Sequence, residues 1–116
     1  MEAIEIAREF ISERKEAIKN LPLLLKEIAK RAKNLLGKNT KVYVFGSYVK
    51  KNFHPFLSDV DILIVSEKVK SMEERAKISL KIKEGLKARS MFEIHLVNEK
   101  EFEFYKLFVD KMVEIK

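Results

Sequence analysis

Two short apolar segments rich in β-branched residues, Val42-Tyr43-Val44-Phe45 and Val60-Asp61-Ile62-Leu63-Ile64-Val65, constrain this chain most. Gly46-Ser47, a basic stretch and a loop broken by Pro55 separate them, so both read as strands of one sheet, 41–45 and 59–65. The second is nearly continuous in apolar residues, the pattern of a strand buried on both faces. It nevertheless carries Asp61, with Asp59 two residues before it. Residues i and i+2 of a strand project to one face, so the two carboxylates are expected side by side at the strand's start. Asp59 alone reads equally well as part of a Ser-Asp turn. Asp61 does not, because an unpaired charge inside an apolar strand is costly. A divalent cation turns that repulsion into attraction, and Mg²⁺ favours carboxylate oxygens while keeping positions open for phosphates. Gly46-Ser47, opening a helical turn over 47–51, offers backbone N–H groups and a hydroxyl to a triphosphate. Together the two halves describe a metal-dependent nucleotide site.

The remaining elements follow from periodicity and punctuation. Ile4, Ala7, Phe10, Ile11 and Ile18 recur at helical spacing, which predicts an amphipathic helix over 2–19. Pro22 suits the first turn of a second helix that runs to Leu36, with Gly37 as its stop. The break at Asn20-Leu21 is short enough that one bent helix is also compatible. Ser71 with Glu74 forms a capping-box pattern opening a helix over 72–89. Asn98 with Glu101 repeats it for a helix over 99–109. Phe92–Val97 alternates as a third strand, and the tail 112–115 fits either a last helical turn or a short strand. The expected fold class is α/β (α+β), a small mixed sheet of three or four strands with helices against one face. The expected organisation is one domain, 1–116.

On the third strand Phe92, Ile94 and Leu96 share the apolar face, which sends Glu93 and His95 together to the other. Glu93 there serves either as a further metal-site carboxylate or as a solvent-face partner of a lysine. His95 serves either as a polar neighbour of Glu93 or as a half-buried residue without a role. His54, on the loop before Pro55, is expected in solvent. Lys50 and Lys51 follow the Gly-Ser turn, near an incoming triphosphate or on a solvated basic loop.

Composition narrows the classes. There is no cysteine, which excludes disulfides, thiolate metal sites and a thiol nucleophile. No apolar run approaches about 18 residues, and the acidic, amphipathic N-terminus does not read as a signal peptide, so a cytoplasmic chain is expected. The abundance of Lys, Glu and Ile without Trp or Gln is the bias of heat-adapted proteins. A net charge of +6 suits a triphosphate, an acidic partner or RNA. Its lysines and arginines are interleaved with Glu along helices, however, and no aromatic residues alternate with them as a base-stacking platform requires.

The arrangement Gly46-Ser47…Asp59-Val60-Asp61 resembles the polymerase β-like nucleotidyltransferase superfamily, in particular its small stand-alone minimal nucleotidyltransferases, over Lys41 to about Val97. Lys51 stands where many members of that family have a glycine. The resemblance implies a third acid at Glu93, with Asp59, Asp61 and Glu93 as catalytic residues and ligands of two Mg²⁺ ions. It implies Gly46, Ser47 and Lys50 as nucleotide-binding residues and ATP as the nucleoside triphosphate substrate. It also implies AMP transfer to an acceptor hydroxyl on a HEPN-domain protein, with this chain acting as antitoxin. A contact-only antitoxin and nucleotide addition to RNA are the alternatives, and an oligomer or hetero-complex is the expected assembly.

Overall fold

Four strands form one mixed sheet in the order β3-β2-β1-β4, in a computed structural model that describes residues 2–116. β1 (Lys41–Phe45) lies antiparallel to β2 (Val60–Val65), and β2 lies parallel to β3 (Phe92–Val97). The short β4 (Met112–Glu114) closes the other side, antiparallel to β1, which settles the tail as a strand. The parallel β2–β3 pair requires a crossover, and α4 (Met72–Lys83) supplies it. The architecture is the expected α+β class, with four strands where three or four were expected.

Helices α1 (Ala3–Lys19) and α2 (Leu21–Leu36) are separate, divided at Asn20. Side chains on one sheet face, Val42, Val44, Val60, Ile62, Ile64, Phe92 and Leu96, are buried with Leu25, Ile28, Ala29 and Ala32 of α2 and Ile82 of α4. The other face is covered only in part. There Leu63, Val65 and Val97 pack with Phe102 of α5 (Glu99–Phe108), and Tyr43 stacks on Phe102 with ring centroids 5.1 Å apart. Helices therefore flank both faces of the sheet rather than the one expected. Alternation forces the second layer, because odd-numbered residues of β2 and β3 are as apolar towards their C-terminal ends as the even-numbered ones.

Further boundaries differ from the sequence expectation. α4 ends at Lys83 rather than 89. Gly85 takes a left-handed φ of 76° just beyond it, and a 3-10 turn over Arg89–Met91 leads into β3. Asp59 lies before β2, not in it. The two capping boxes also differ: Asn98 and Glu101 complete theirs, whereas Glu74 reaches the Lys70 amide instead of that of Ser71. Lys51, after the single-turn α3 (Ser47–Lys50), has φ +65°. That is the left-handed conformation glycine adopts without a Cβ penalty, a physical reason for glycine at this place in the family it resembles.

α1 is mostly exposed. Its C-terminal half buries Ala17 and Arg14, while Ile4, Ile6 and Phe10 further up the helix are exposed. Arg14 donates from Nε to the Pro55 carbonyl at 3.0 Å and from Nη2 to the Ser58 carbonyl at 2.5 Å. It thereby anchors the loop that runs into Asp59. No helix among the described residues is long and apolar enough to cross a membrane.

Candidate functional site

The incompletely covered sheet face carries the charged residues. Register pairs Phe45 with Asp61 and Asp61 with Glu93 across three strands, and in the neighbouring row Tyr43, Leu63 and His95 are aligned. Period-two alternation sends all of these side chains to the same face. α5 covers the Tyr43-Leu63 end and leaves the Asp61-Glu93 end open. One donor atom each from Asp61, Glu93 and His95 falls within 4.8 Å of the others. His95 Nε2 is 3.3 Å from Asp61 Oδ1 and 3.8 Å from Glu93 Oε1. Side-chain exposure rises from 24% at His95 and 26% at Asp61 to 56% at Glu93, so Glu93 is the member that faces solvent.

Two neighbours shape this group. Gly46 ends β1 with φ +82°, and a Cβ built there would collide with the Asp61 carboxylate. Both the backbone conformation and the lack of a side chain are needed for β1 to pass so close to Asp61. Tyr105, on α5, places its hydroxyl 3.2 Å from His95 Nδ1. Phe45, His95 and Tyr105 form an aromatic cluster, with centroid distances of 5.3 Å for Phe45–His95 and 5.8 Å for His95–Tyr105. Burial raises the Tyr105 phenol above its ordinary range, with the charges of Glu101, Glu93 and Asp61 adding to the effect. The phenol therefore keeps its proton through neutral pH.

The remaining residues singled out in the sequence are dispersed around this group. Asp59 is exposed on the strand's approach and is not one of the three clustered residues. β2 begins only at Val60, so the alternation that fixes the facing of Asp61 does not extend to Asp59. Ser47 opens α3 directly after Gly46 and is partly buried. Lys50 lies 3.5 Å from Asp110 in an exposed ion pair. Lys51 and His54 are exposed, and His54 Nδ1 accepts the Phe56 amide at 3.2 Å. Sequence reasoning did not reach Tyr105 or Arg14. Arg14 had a signal, since it falls on the apolar stripe of α1 between Ile11 and Ile18. Tyr105 had none, because nothing in one helix shows which strand residue it will meet.

Behind His95, a groove of about 360 Å³ runs between α4 and α5 along the free edge of β3, lined by Arg75, Ser79, Ile94, His95, Glu101 and Tyr105 among others. Arg75 donates to the edge carbonyl of Leu96 at 3.2 Å and pairs with Glu101 at 2.9 Å. Lys83 donates to the Phe92 carbonyl at 3.1 Å. These cations occupy carbonyls that an unpaired edge would otherwise present.

A parallel β2–β3 pair with Asp61 opposite Glu93, and a glycine turn against Asp61, agree with what the sequence matches. The chain belongs to the nucleotidyltransferase domain family, whose profile matches residues 25–116. A crystal structure provisionally described as that of a nucleotidyltransferase is 26% identical, covering 78% of this chain and 96% of the other with a TM-score of 0.60. A second, from Sulfolobus solfataricus and described in the same provisional terms, is 24% identical over 91% of this chain and 85% of its own, with a TM-score of 0.56, and shares the fold. No curated protein matches the chain. Family membership supports nucleotidyl transfer, a nucleoside triphosphate substrate and use of divalent metals. The donor set fits such an ion: two carboxylates and an imidazole converge, and the backbone opposite them is a glycine.

Proposed function

We propose that this protein transfers AMP from ATP to an acceptor hydroxyl on a partner protein of the HEPN toxin class. The observation that carries the reading is the convergence of Asp61, Glu93 and His95 beside Gly46 on the open sheet face of a nucleotidyltransferase domain. Gly46 and Ser47 hold the β- and γ-phosphates, and Lys50 turns from Asp110 towards the triphosphate. Asp61 and Glu93 act as metal ligands, and Asp59 joins them from the loop end. Two divalent ions, when bound, would supply charge stabilisation for the attacking and leaving oxygens. The acceptor oxygen bonds to the α-phosphorus, the bond to the β-phosphate oxygen breaks, and pyrophosphate departs. Glu93, the most exposed of the three, orients the acceptor hydroxyl and takes up its proton. The protein's part is positioning rather than covalent catalysis.

A macromolecular acceptor is supported by exposed apolar surface on the loop entering Asp59, at Phe56 and Leu57, and on α1. A contact-only antitoxin is the second reading, favoured by the position of Asp59 outside the clustered residues.

One experiment separates them. Radiolabelled ATP, Mg²⁺ and the protein encoded by the neighbouring gene are incubated with wild type and with Glu93→Gln. Label is expected on the partner with wild type only, although Glu93→Gln still binds Mg-ATP. Equal labelling by the mutant would remove Glu93 from the chemistry. Absence of label, with partner neutralisation surviving Asp59→Asn/Asp61→Asn, would establish the contact-only antitoxin. Label on RNA would make the acceptor a nucleic acid.

A further inference from the structure

We propose that His95 is a direct ligand of the divalent ion, through Nε2, and that Tyr105 is the positioning residue that holds its ring in the ligating form. The site would then favour Mn²⁺ over Mg²⁺. This inference rests on the nucleotidyl-transfer reading above and concerns the ion at Asp61 and Glu93.

Adjacent donors on an octahedral ion with metal–ligand distances of about 2.1 Å stand roughly 3 Å apart. The spacings from His95 Nε2, 3.3 Å to Asp61 and 3.8 Å to Glu93, are close to that arrangement already. The imidazole already stands among the converged donors, whereas Asp59 would join them from the loop end. The ring is held between Phe45 and Tyr105 and is only 24% exposed, so it has little freedom to leave.

Tyr105 matters because the imidazole must change partners. Without an ion, the tautomer that carries its proton on Nε2 donates to Asp61 Oδ1, 3.3 Å away, and in that form Nδ1 accepts the Tyr105 hydroxyl proton. With the Nε2 lone pair on an ion, the ring proton sits on Nδ1 and the Tyr105 oxygen accepts it. A phenolic hydroxyl serves as donor or acceptor, so the same side chain at the same distance suits both states. Metal-ligating histidines regularly donate their second N–H to such a partner. Imidazole suits transition metals rather than Mg²⁺, and Mn²⁺, which shares the preference of Mg²⁺ for oxygen ligands, is the transition metal that fits two carboxylates beside one nitrogen.

The test is electron spin-echo modulation on the full chain with Mn²⁺, alone and with a non-hydrolysable ATP analogue, beside Mn²⁺ and Mg²⁺ titrations. Wild type is expected to show modulation from a directly bound ¹⁴N that is replaced by the ¹⁵N pattern when the histidines carry ¹⁵N. His95→Gln should abolish it and cut Mn²⁺ affinity at least ~10-fold, with a smaller loss for Mg²⁺. Tyr105→Phe should keep the nitrogen signal while weakening Mn²⁺ binding by about 10-fold. Mn²⁺ bound to wild type in an Asp61-dependent manner but without histidine nitrogen coupling would overturn the inference and leave the transfer reading intact. Failure of wild type to bind Mn²⁺ in either condition would overturn both.

Discussion

The two faces of the sheet are built from the same strands yet obey different rules. Towards α2 and α4, Val42, Val44, Ile62 and Ile64 are no more than 5% exposed, and none of the side chains packed there is charged. Towards α5, a buried end at Leu63 and Val65 gives way to an open end at Asp61, one residue from Ile62 and on the opposite side. Helix coverage, not strand composition, decides where β2 can carry a carboxylate. A charge that would be prohibitive under α2 is tolerable where solvent, His95 or a cation can reach it.

The largest difference should appear between neighbours on β2. Ile62→Ala leaves a cavity in the closed face and should cost about 2–5 kcal/mol in a denaturant melt, with nucleotide binding unchanged in the surviving folded fraction. Asp61→Asn should alter stability by less than about 1 kcal/mol. Its Mn²⁺ affinity should fall by more than ~100-fold, since loss of outer partners alone costs 10–100-fold. Equal effects of both substitutions on stability would mean that the two faces are not energetically distinct.

Gly46→Ala comes next, because it crosses the categories. Positive φ and the collision with Asp61 should together destabilise the domain by about 1–3 kcal/mol and displace the carboxylate. Calorimetry should therefore show both a lowered melting temperature and weakened metal binding. A stable variant with normal binding would show that β1 does not need to pass so close.

The smallest effect concerns what holds α5 over its half of the face. Glu101 sits below the ordinary carboxylate range, first through the Arg75 hydrogen bond and then through the Asn98 amide. Because its folded pKa is depressed, the stabilisation is present above the unfolded value and lost as pH falls through the folded one. Glu101→Gln keeps a capping-box side chain and removes the charge. The variant should be less stable by up to about 1 kcal/mol at neutral pH, the gap closing in acid. A gap that persists undiminished in acid would assign the effect to geometry rather than charge.

Much of this arrangement was legible in the residues themselves. The alternation over Phe92–Val97 identified β3 and sent Glu93 and His95 to one side, and the Asn98–Glu101 pair marked the start of α5. Asp61 stood out because its neighbours were apolar. What failed depended on partners distant in sequence or on backbone detail that periodicity does not carry. Coverage of the second face needed α5 to fold back, Tyr105 needed His95 opposite it, and the end of α4 hung on a single glycine whose dihedral no periodicity reveals. Asp59 was read as a strand residue because a two-residue repeat carries no information about where hydrogen bonding starts.

The pairing of β1 with β4 has a consequence for synthesis. β1 meets β2 soon after both leave the ribosome, but its other neighbour is Met112–Glu114, encoded far downstream. Closing so long a loop carries an entropic cost that nearby pairings avoid. Throughout translation of the crossover helix and α5, the nascent chain therefore presents the β1 flank as an unzipped seam. An unzipped seam of that kind is a template for a second copy, a hazard at this flank that ends when β4 is made and pairs.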